Sequence, residues 1–301
     1  MGAPGRIILG SRGSDLALAQ ALLVEQALRA AWPDLDVTTE IIRTSGDEGA
    51  RTDAVADRKA GRKGMFTREI ERQLIVRRID LAVHSAKDLP SERSEDLEIC
   101  AALPRGRSSD VLITKKSLGL TSLPPGATIA TGSVRRQHQL RWKRPDLTVV
   151  DLHGNVPTRL RKLRENENWS GIILARAGLE RLGLEVKMES LSEDDFVPAG
   201  GQGVIALQIR RNDERLLRLA RVISHQPTLL CLRAEREFLR LLEGDCDSPV
   251  GVRATMMGEK LRLQAQVFAE ETSAPRAGVV TGESAQPETT AAELMEKLYG
   301  N

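Results

Sequence analysis

Residues 128–175 read TIATGSVRRQHQLRWKRPDLTVVDLHGNVPTRLRKLRENENWSGIILA, and this stretch decides the fold. Residues 128–131 are short and partly β-branched, as a buried strand requires. Residues 133–143 take helical spacing, with Ser133 at a capping position. Residues 147–152 return to strand and 155–164 to helix, where Pro157 suits a first turn that needs no amide hydrogen. Residues 171–175 read as a further buried strand. Strand and helix in alternation predict parallel α/β layers.

The same style runs toward the N-terminus. Residues 6–11 read as a buried strand, and Ser14 caps a helix that runs to about Trp32, before Pro33. Leu16, Ala19, Leu23 and Ala27 keep helical spacing and predict its buried face. Residues 36–44 read as strand, 65–78 as a helix with Phe66, Ile70 and Leu74 along one side, and 79–83 as another buried strand. The tail is different. A long amphipathic helix over 227–242 leads into a Gly-Asp-Cys-Asp-Ser-Pro loop. Alternating segments at 252–255 and 261–269 follow, and a helix over 289–299 completes a small α+β domain. Candidate boundaries lie at 104–109 and 196–212, and spacing leaves open which domain takes the strand at 200–210.

Composition excludes several classes. The chain has 301 residues, enough for two or three domains, and its formal charge of 44 − 42 = +2 gives no net field for nucleic acid. Aromatic residues are only 3% of the chain, too few for a base-stacking platform. No apolar run approaches the ~20 residues of a membrane span, so a cytoplasmic protein is the default expectation. Cys100, Cys231 and Cys246 are widely spaced, and His84, His138, His153 and His225 form no helical pair, so no metal is expected.

What remains points to an anion. Arg12 follows the first strand, Arg135 and Arg136 open the helix after Ser133, and Arg159 lies early in the helix after His153-Gly154-Asn155. One arginine of this kind is ordinarily a solvated surface group. Several at strand ends and helix starts predict a polyanion site, since ligands of open α/β sheets bind there. Arginine in a first turn opposes the helix dipole, so Arg135 and Arg136 call for an anion. In His84-Ser85-Ala86-Lys87-Asp88-Leu89-Pro90, a carboxylate and an ammonium stand side by side at a strand end, where they can divide acid, base and charge-stabilising roles. Cys246 sits in a loop, more accessible than Cys100 or Cys231, but Asp245 and Asp247 disfavour its thiolate and suit a slow, one-time attachment better than fast cycling. The glycines around Gln202 lack the Lys-Ser/Thr of a phosphate loop and fit a hinge or a close backbone approach.

Together these stretches resemble the porphobilinogen deaminase (hydroxymethylbilane synthase) family. In order along the chain they are SR at 11–12 with LALAQ at 16–20, TSGD at 44–47, KGMFTREIE at 63–71 and DLAVHSAKDLP at 80–90. TGSVRRQ at 131–137, GNVPTRL at 154–160, PAGGQG at 198–203, AER at 234–236 and GDCDSPVG at 244–251 follow. The resemblance implies two α/β domains similar to periplasmic binding proteins, 1–103 with 200–221 and 104–199, and a smaller α+β domain, 222–301, with the active cleft between the first two. It implies a dipyrromethane cofactor built from substrate and held by a thioether on Cys246. Four porphobilinogens then add, each losing ammonia, and hydrolysis releases the tetrapyrrole, a step of heme biosynthesis. The catalytic aspartate falls on Asp88; Arg12, Ser14, Ser85, Lys87, Thr131, Ser133, Arg135, Arg136, His153, Gly154, Asn155, Arg159 and Gln202 fall on cofactor- and substrate-binding positions. A monomer is implied.

The chain departs from the family's pattern at four points. His153 stands where an arginine is usual, Ser109 replaces an arginine before Asp110, Gln208 replaces a common Glu, and Asp245 replaces a glycine before the cysteine. An anion-binding module of the same fold, or a catalytically weakened relative, is the competing reading.

Overall fold

The computed structural model describes residues 5–43, 67–243, 249–269 and 274–300. It divides into two compact units, Met1–Gly106 with Val204–Leu232, and Arg107–Gly203 with Arg233–Asn301.

In the first unit, strands β1 (Arg6–Arg12), β2 (Asp36–Ile42), β3 (Leu81–Ser85) and β4 (Leu97–Ala102) join β10 (Ile205–Arg210) in the order β2-β1-β3-β10-β4. Helix α1 (Asp15–Ala31) covers one face of this sheet, where Val24 and Leu28 meet Ile7, Leu9, Val37 and Leu207. Leu216 and Leu219 of α6 (Glu214–Ile223) complete that layer. On the other face Ile70 and Leu74 of α2 (Arg68–Ile75) pack with Ile42, Ile79 and Ala82. Ser14 caps α1 by accepting from the Ala17 amide at 3.3 Å, and Asp213 caps α6 from the Leu216 amide at 3.1 Å. Such caps contribute about 1 kcal/mol each.

The buried stripe of α1 is Gln20, Ala21, Val24 and Leu28, so the predicted phase is shifted: Leu23 is 42% exposed. The helix is rich in Ala and Leu on more than one side, and spacing alone does not choose among its apolar faces.

In the second unit, β5 (Asp110–Thr114), β6 (Thr128–Ala130), β7 (Thr148–Val150), β8 (Gly171–Ala175) and β9 (Glu189–Ser190) form a sheet in the order β7-β6-β8-β5-β9. Helix α3 (Val134–Lys143) packs Leu140 against Leu112, Ile129 and Ile173 on one face. Leu163 of α4 (Val156–Glu165) and Leu179 of α5 (Arg176–Arg181) pack against Val111, Ile113, Ile172 and Leu174 on the other. Helix α7 (Gln226–Leu241) leaves the first unit at Leu232 and enters the second at Arg233. An antiparallel sheet of β11 (Val250–Met257), β12 (Lys260–Val267) and β13 (Arg276–Glu283), with α8 (Pro287–Tyr299), ends the chain.

The α/β class stands, but the layers are mixed where parallel strands were predicted. β1, β2 and β3 run parallel, whereas β10 is antiparallel to both β3 and β4. The second sheet repeats the scheme, with β6, β7 and β8 parallel and β5 antiparallel to β8 and β9. β5 and β10 are the strands by which the chain enters each sheet from the other unit, so no crossover helix within that sheet sets their direction.

Candidate active site

Parallel strands collect their carboxyl ends along one edge, and each unit gathers predicted site residues there. In the first unit β1 ends at Arg12, and Ser14 caps the helix that follows. Its neighbour β3 ends at Ser85 and turns directly into a single 3-10 turn, Ala86–Asp88. Ser85 Oγ donates to Gln20 Oε1 of α1 at 3.0 Å, which ties that turn to the helix following β1. Asp88 is half-buried, and its carboxylate has no hydrogen-bond or ion-pair partner among the described residues. Lys87 is half-buried beside it. A carboxylate oriented by backbone alone keeps both oxygens available to accept hydrogen bonds or a proton.

In the second unit β6 ends in Thr131-Gly132-Ser133, and the neighbouring β7 in Asp151-Leu152-His153-Gly154-Asn155. The two loops touch: a Cβ on Gly132 would lie 2.4 Å from the Leu152 carbonyl oxygen, so only glycine lets them approach. Thr131 is fully buried, and its Oγ1 accepts from the Ser133 amide at 3.3 Å. Ser133 occupies the capping position of α3, but its hydroxyl makes no capping bond. That corrects the predicted cap. Backbone amides of a first turn have no intrahelical partner, so the start of α3 offers N–H groups and a free hydroxyl together. By contrast, Asn155 does cap α4, accepting from the Thr158 amide at 3.0 Å. Arg159 Nε donates to the Gly154 carbonyl at 2.6 Å, and His153 is exposed.

The anion that Arg135 and Arg136 require is found inside the protein. Asp110, at the start of β5, accepts from Arg135 Nη1 at 2.7 Å and from Arg136 Nη2 at 2.8 Å. All three side chains are buried. Burial pushes the Asp110 carboxyl up, but the two guanidinium charges and their hydrogen bonds outweigh it and hold the group well below the usual carboxylate range. Gln202 Nε2 donates to the same carboxylate at 2.8 Å and to the Ser108 carbonyl at 2.6 Å. Two positive groups against one negative leave a net charge of one beneath the start of α3.

Gln208 now has a local explanation. It is buried, accepts from His84 Nε2 at 3.0 Å and donates to Glu71 Oε1 at 3.0 Å. Glu71 can only accept, which orients the amide and assigns the Nε2 proton to His84. Cys100 and Cys231 are both buried, and burial pushes the Cys100 thiol up to about 12. Cys246 and Asp245 lie outside the described residues, as do residues 44–47 and 63–66. Sequence reasoning missed Gln139 and the role of Asp110. The available signal was a carboxylate directly preceding the apolar run Val111-Leu112-Ile113, which demands a buried counter-charge.

Comparison with known proteins bears on the family of the chain. Residues 7–218 match the family described as "Porphobilinogen deaminase, dipyromethane cofactor binding domain". Residues 229–300 match "Porphobilinogen deaminase, C-terminal domain". A porphobilinogen deaminase of Roseiflexus sp. (strain RS-1) is 43% identical over 296 residues, covering 97% of this chain and 95% of that protein. One of Moorella thermoacetica is 42% identical over 293 residues, covering 97% and 92%. Among solved structures, the methionine-binding protein MetQ aligns at 12% identity with a TM-score of 0.46, covering 73% of this chain and 90% of that one. With both family regions matched in order and relatives aligned almost end to end, the chain belongs to the porphobilinogen deaminase family.

Proposed function

We propose that this chain is a transferase that condenses four porphobilinogen units head to tail, each with loss of ammonia, and then releases hydroxymethylbilane by hydrolysis. The observation that carries the reading is the match of residues 7–218 to the dipyrromethane-binding domain of the family. The donor set fits such a group. Each pyrrole carries an acetate and a propionate, and the strand-end edges supply hydroxyls, guanidiniums and helix-start amides, the partners that carboxylates need. When bound through Cys246, the dipyrromethane supplies a covalent primer from which the product grows.

The protein's own residues hold and steer that product. Ser133, with its hydroxyl unused at the start of α3, takes an acid side arm together with the first-turn amides. Arg135 and Arg136 act from beneath, because their charge exceeds that of Asp110 and lies in a low-dielectric interior. Arg12, Ser14, Ser85, Lys87, Thr131, His153, Gly154, Asn155, Arg159 and Gln202 are the remaining binding positions we assign. Asp88 stabilises positive charge at the pyrrole nitrogen as ammonia departs and moves the proton there; its unpartnered carboxylate supports that role.

We read the chain as three domains, 1–103 with 200–221, 104–199 and 222–301, a division supported by the three sheets of the described residues. We take it to act in the cytoplasm as a monomer, on a small molecule and not on nucleic acid. No described helix is long and apolar enough to cross a membrane.

Intact-mass measurement tests the function. Protein expressed where porphobilinogen is plentiful should exceed its sequence mass by one dipyrromethane, and Cys246→Ser should remove the excess. A bare chain mass for the unaltered protein sinks the reading and leaves an anion-binding module.

A further inference from the structure

The segment that carries Cys246 enters from α7 and leaves into β11, and both flanks are tied to one short strap, residues 197–202. On the leaving side, the Val252 amide donates to the Pro198 carbonyl at 2.8 Å. Gly251 lies so close to the strap that a Cβ there would stand 2.4 Å from the Val197 carbonyl oxygen. On the entering side, Glu235 of α7 accepts from the Gly201 amide at 2.6 Å and from the Ala254 amide of β11 at 2.7 Å. The strap is therefore a shared seat for helix and strand.

Gln139 of α3 fixes the seat. Its side chain is fully buried. The amide oxygen accepts from Arg135 Nη1 at 2.9 Å, and the amide nitrogen donates to the Val197 carbonyl at 2.9 Å and to Gln266 Oε1 at 2.9 Å. Gln266 pairs with Gly251 across the β11–β12 ladder and donates to the Asp194 and Asp195 carbonyls, both at 3.2 Å. Arg135 Nη1 also reaches the Val197 carbonyl, at 3.0 Å. One amide thus joins the arginine pair, the strap and the strand that follows the cysteine segment. Three hydrogen bonds with opposite demands at its two ends leave it a single orientation.

We propose that Gln139 is a positioning residue: by locking the strap to Arg135 and to β12, it holds the flanks of the cysteine segment in the register that attachment at Cys246 needs. The proposal rests on the function assigned above. It predicts that covalent attachment is more sensitive to Gln139 than is the stability of the fold, because a misplacement of an ångström penalises a reacting geometry more than it penalises packing.

The full chain, expressed without pyrrole precursor, should be mixed with porphobilinogen and its mass followed in time. Gln139→Leu should slow the gain of one dipyrromethane by about tenfold or more, and Leu294→Ala, a core change in α8 remote from the strap, should stay within about twofold of the unaltered protein. Amide exchange gives a second readout: Val252 N–H should exchange faster in the Gln139 variant while amides in the centre of β8 keep their protection. Equal loading of Q139L and the unaltered protein overturns the proposal, as does equal slowing in L294A. If Q139L does not fold, Gln266→Leu cuts the same bridge from β12 and is read the same way. If the unaltered protein never gains mass, the assigned function fails instead, which keeps the two outcomes apart.

Discussion

Asp110 Oδ2 stands 2.7 Å from Arg135 Nη1, and neither side chain is more than 3% exposed. A buried charge is tolerable only when paired, so each group stabilises the other's presence more than it stabilises the fold. Asp110→Asn keeps the shape and removes the charge, leaving two buried guanidiniums opposed only by dipoles. We expect a loss of about 3–5 kcal/mol in denaturant unfolding. The pH dependence has a definite sign. The folded-state pKa of Asp110 lies below its unfolded value, so its contribution is present above the unfolded carboxyl value of ~3.9 and is lost as pH falls toward the folded one. The unaltered protein should lose stability on acidification through this window more steeply than D110N. Parallel curves would dismiss the ion pair as the cause.

Asp88→Ala should separate fold from chemistry. No described residue depends on that carboxylate, so the melting temperature should move by no more than about 2 °C, the scale of a surface change. Turnover should drop by at least ~10²-fold, the usual range for a lost acid or base. Normal product formation in D88A removes Asp88 from the mechanism.

Gly132→Ala probes the contact between the two strand-end loops of the second unit. Its methyl group meets a backbone carbonyl at 2.4 Å, which cannot turn aside like a side-chain tip, so the loops must part. We expect KM for porphobilinogen to rise more than kcat falls, since Ser133 and His153 are displaced from each other while Asp88 is untouched. An unchanged KM would show that these loops do not hold substrate.

Gln208→Glu introduces a carboxylate between His84 and Glu71. Two acids at hydrogen-bond distance repel unless His84 takes a proton, so the substitution should raise the folded pKa of His84. That added stability is present below the unfolded histidine value of ~6.5 and is lost as pH rises through the folded value. Q208E should therefore lose more stability than the unaltered protein as pH rises through the folded-state value of His84, with the ring followed by NMR titration; parallel unfolding profiles refute the coupling.

Local pattern carried much of the architecture. The alternation over 128–175 places β6, α3, β7, α4 and β8 within a few residues of where they are found, because the two ten-residue helices show their own period and the short apolar runs between them are left for strands. The direction of β5 and β10 was not legible, since it depends on which sheet a strand joins after about a hundred residues of intervening chain, and spacing holds no such information. The site divided in the same way. That Arg135 and Arg136 need an anion follows from the helix dipole; that Asp110 supplies it is tertiary, set by a strand 25 residues upstream. Ser133 was placed at the helix start correctly, but whether its hydroxyl caps or waits for a ligand depends on rotamer, not on residue type.

The insertion of β10 between β3 and β4 also constrains how this polypeptide comes off the ribosome. Among the described residues β4 pairs only with β10, so it lacks that neighbour until residue 210 has been made. At roughly 5–20 residues per second, the gap from β4 to β10 leaves an unzipped edge in the nascent chain for about 5–20 s. Such an edge is a site for chaperone capture or for wrong pairing, and a chain arrested at residue 203 should show β4 amides exchanging freely while those of β1 are protected.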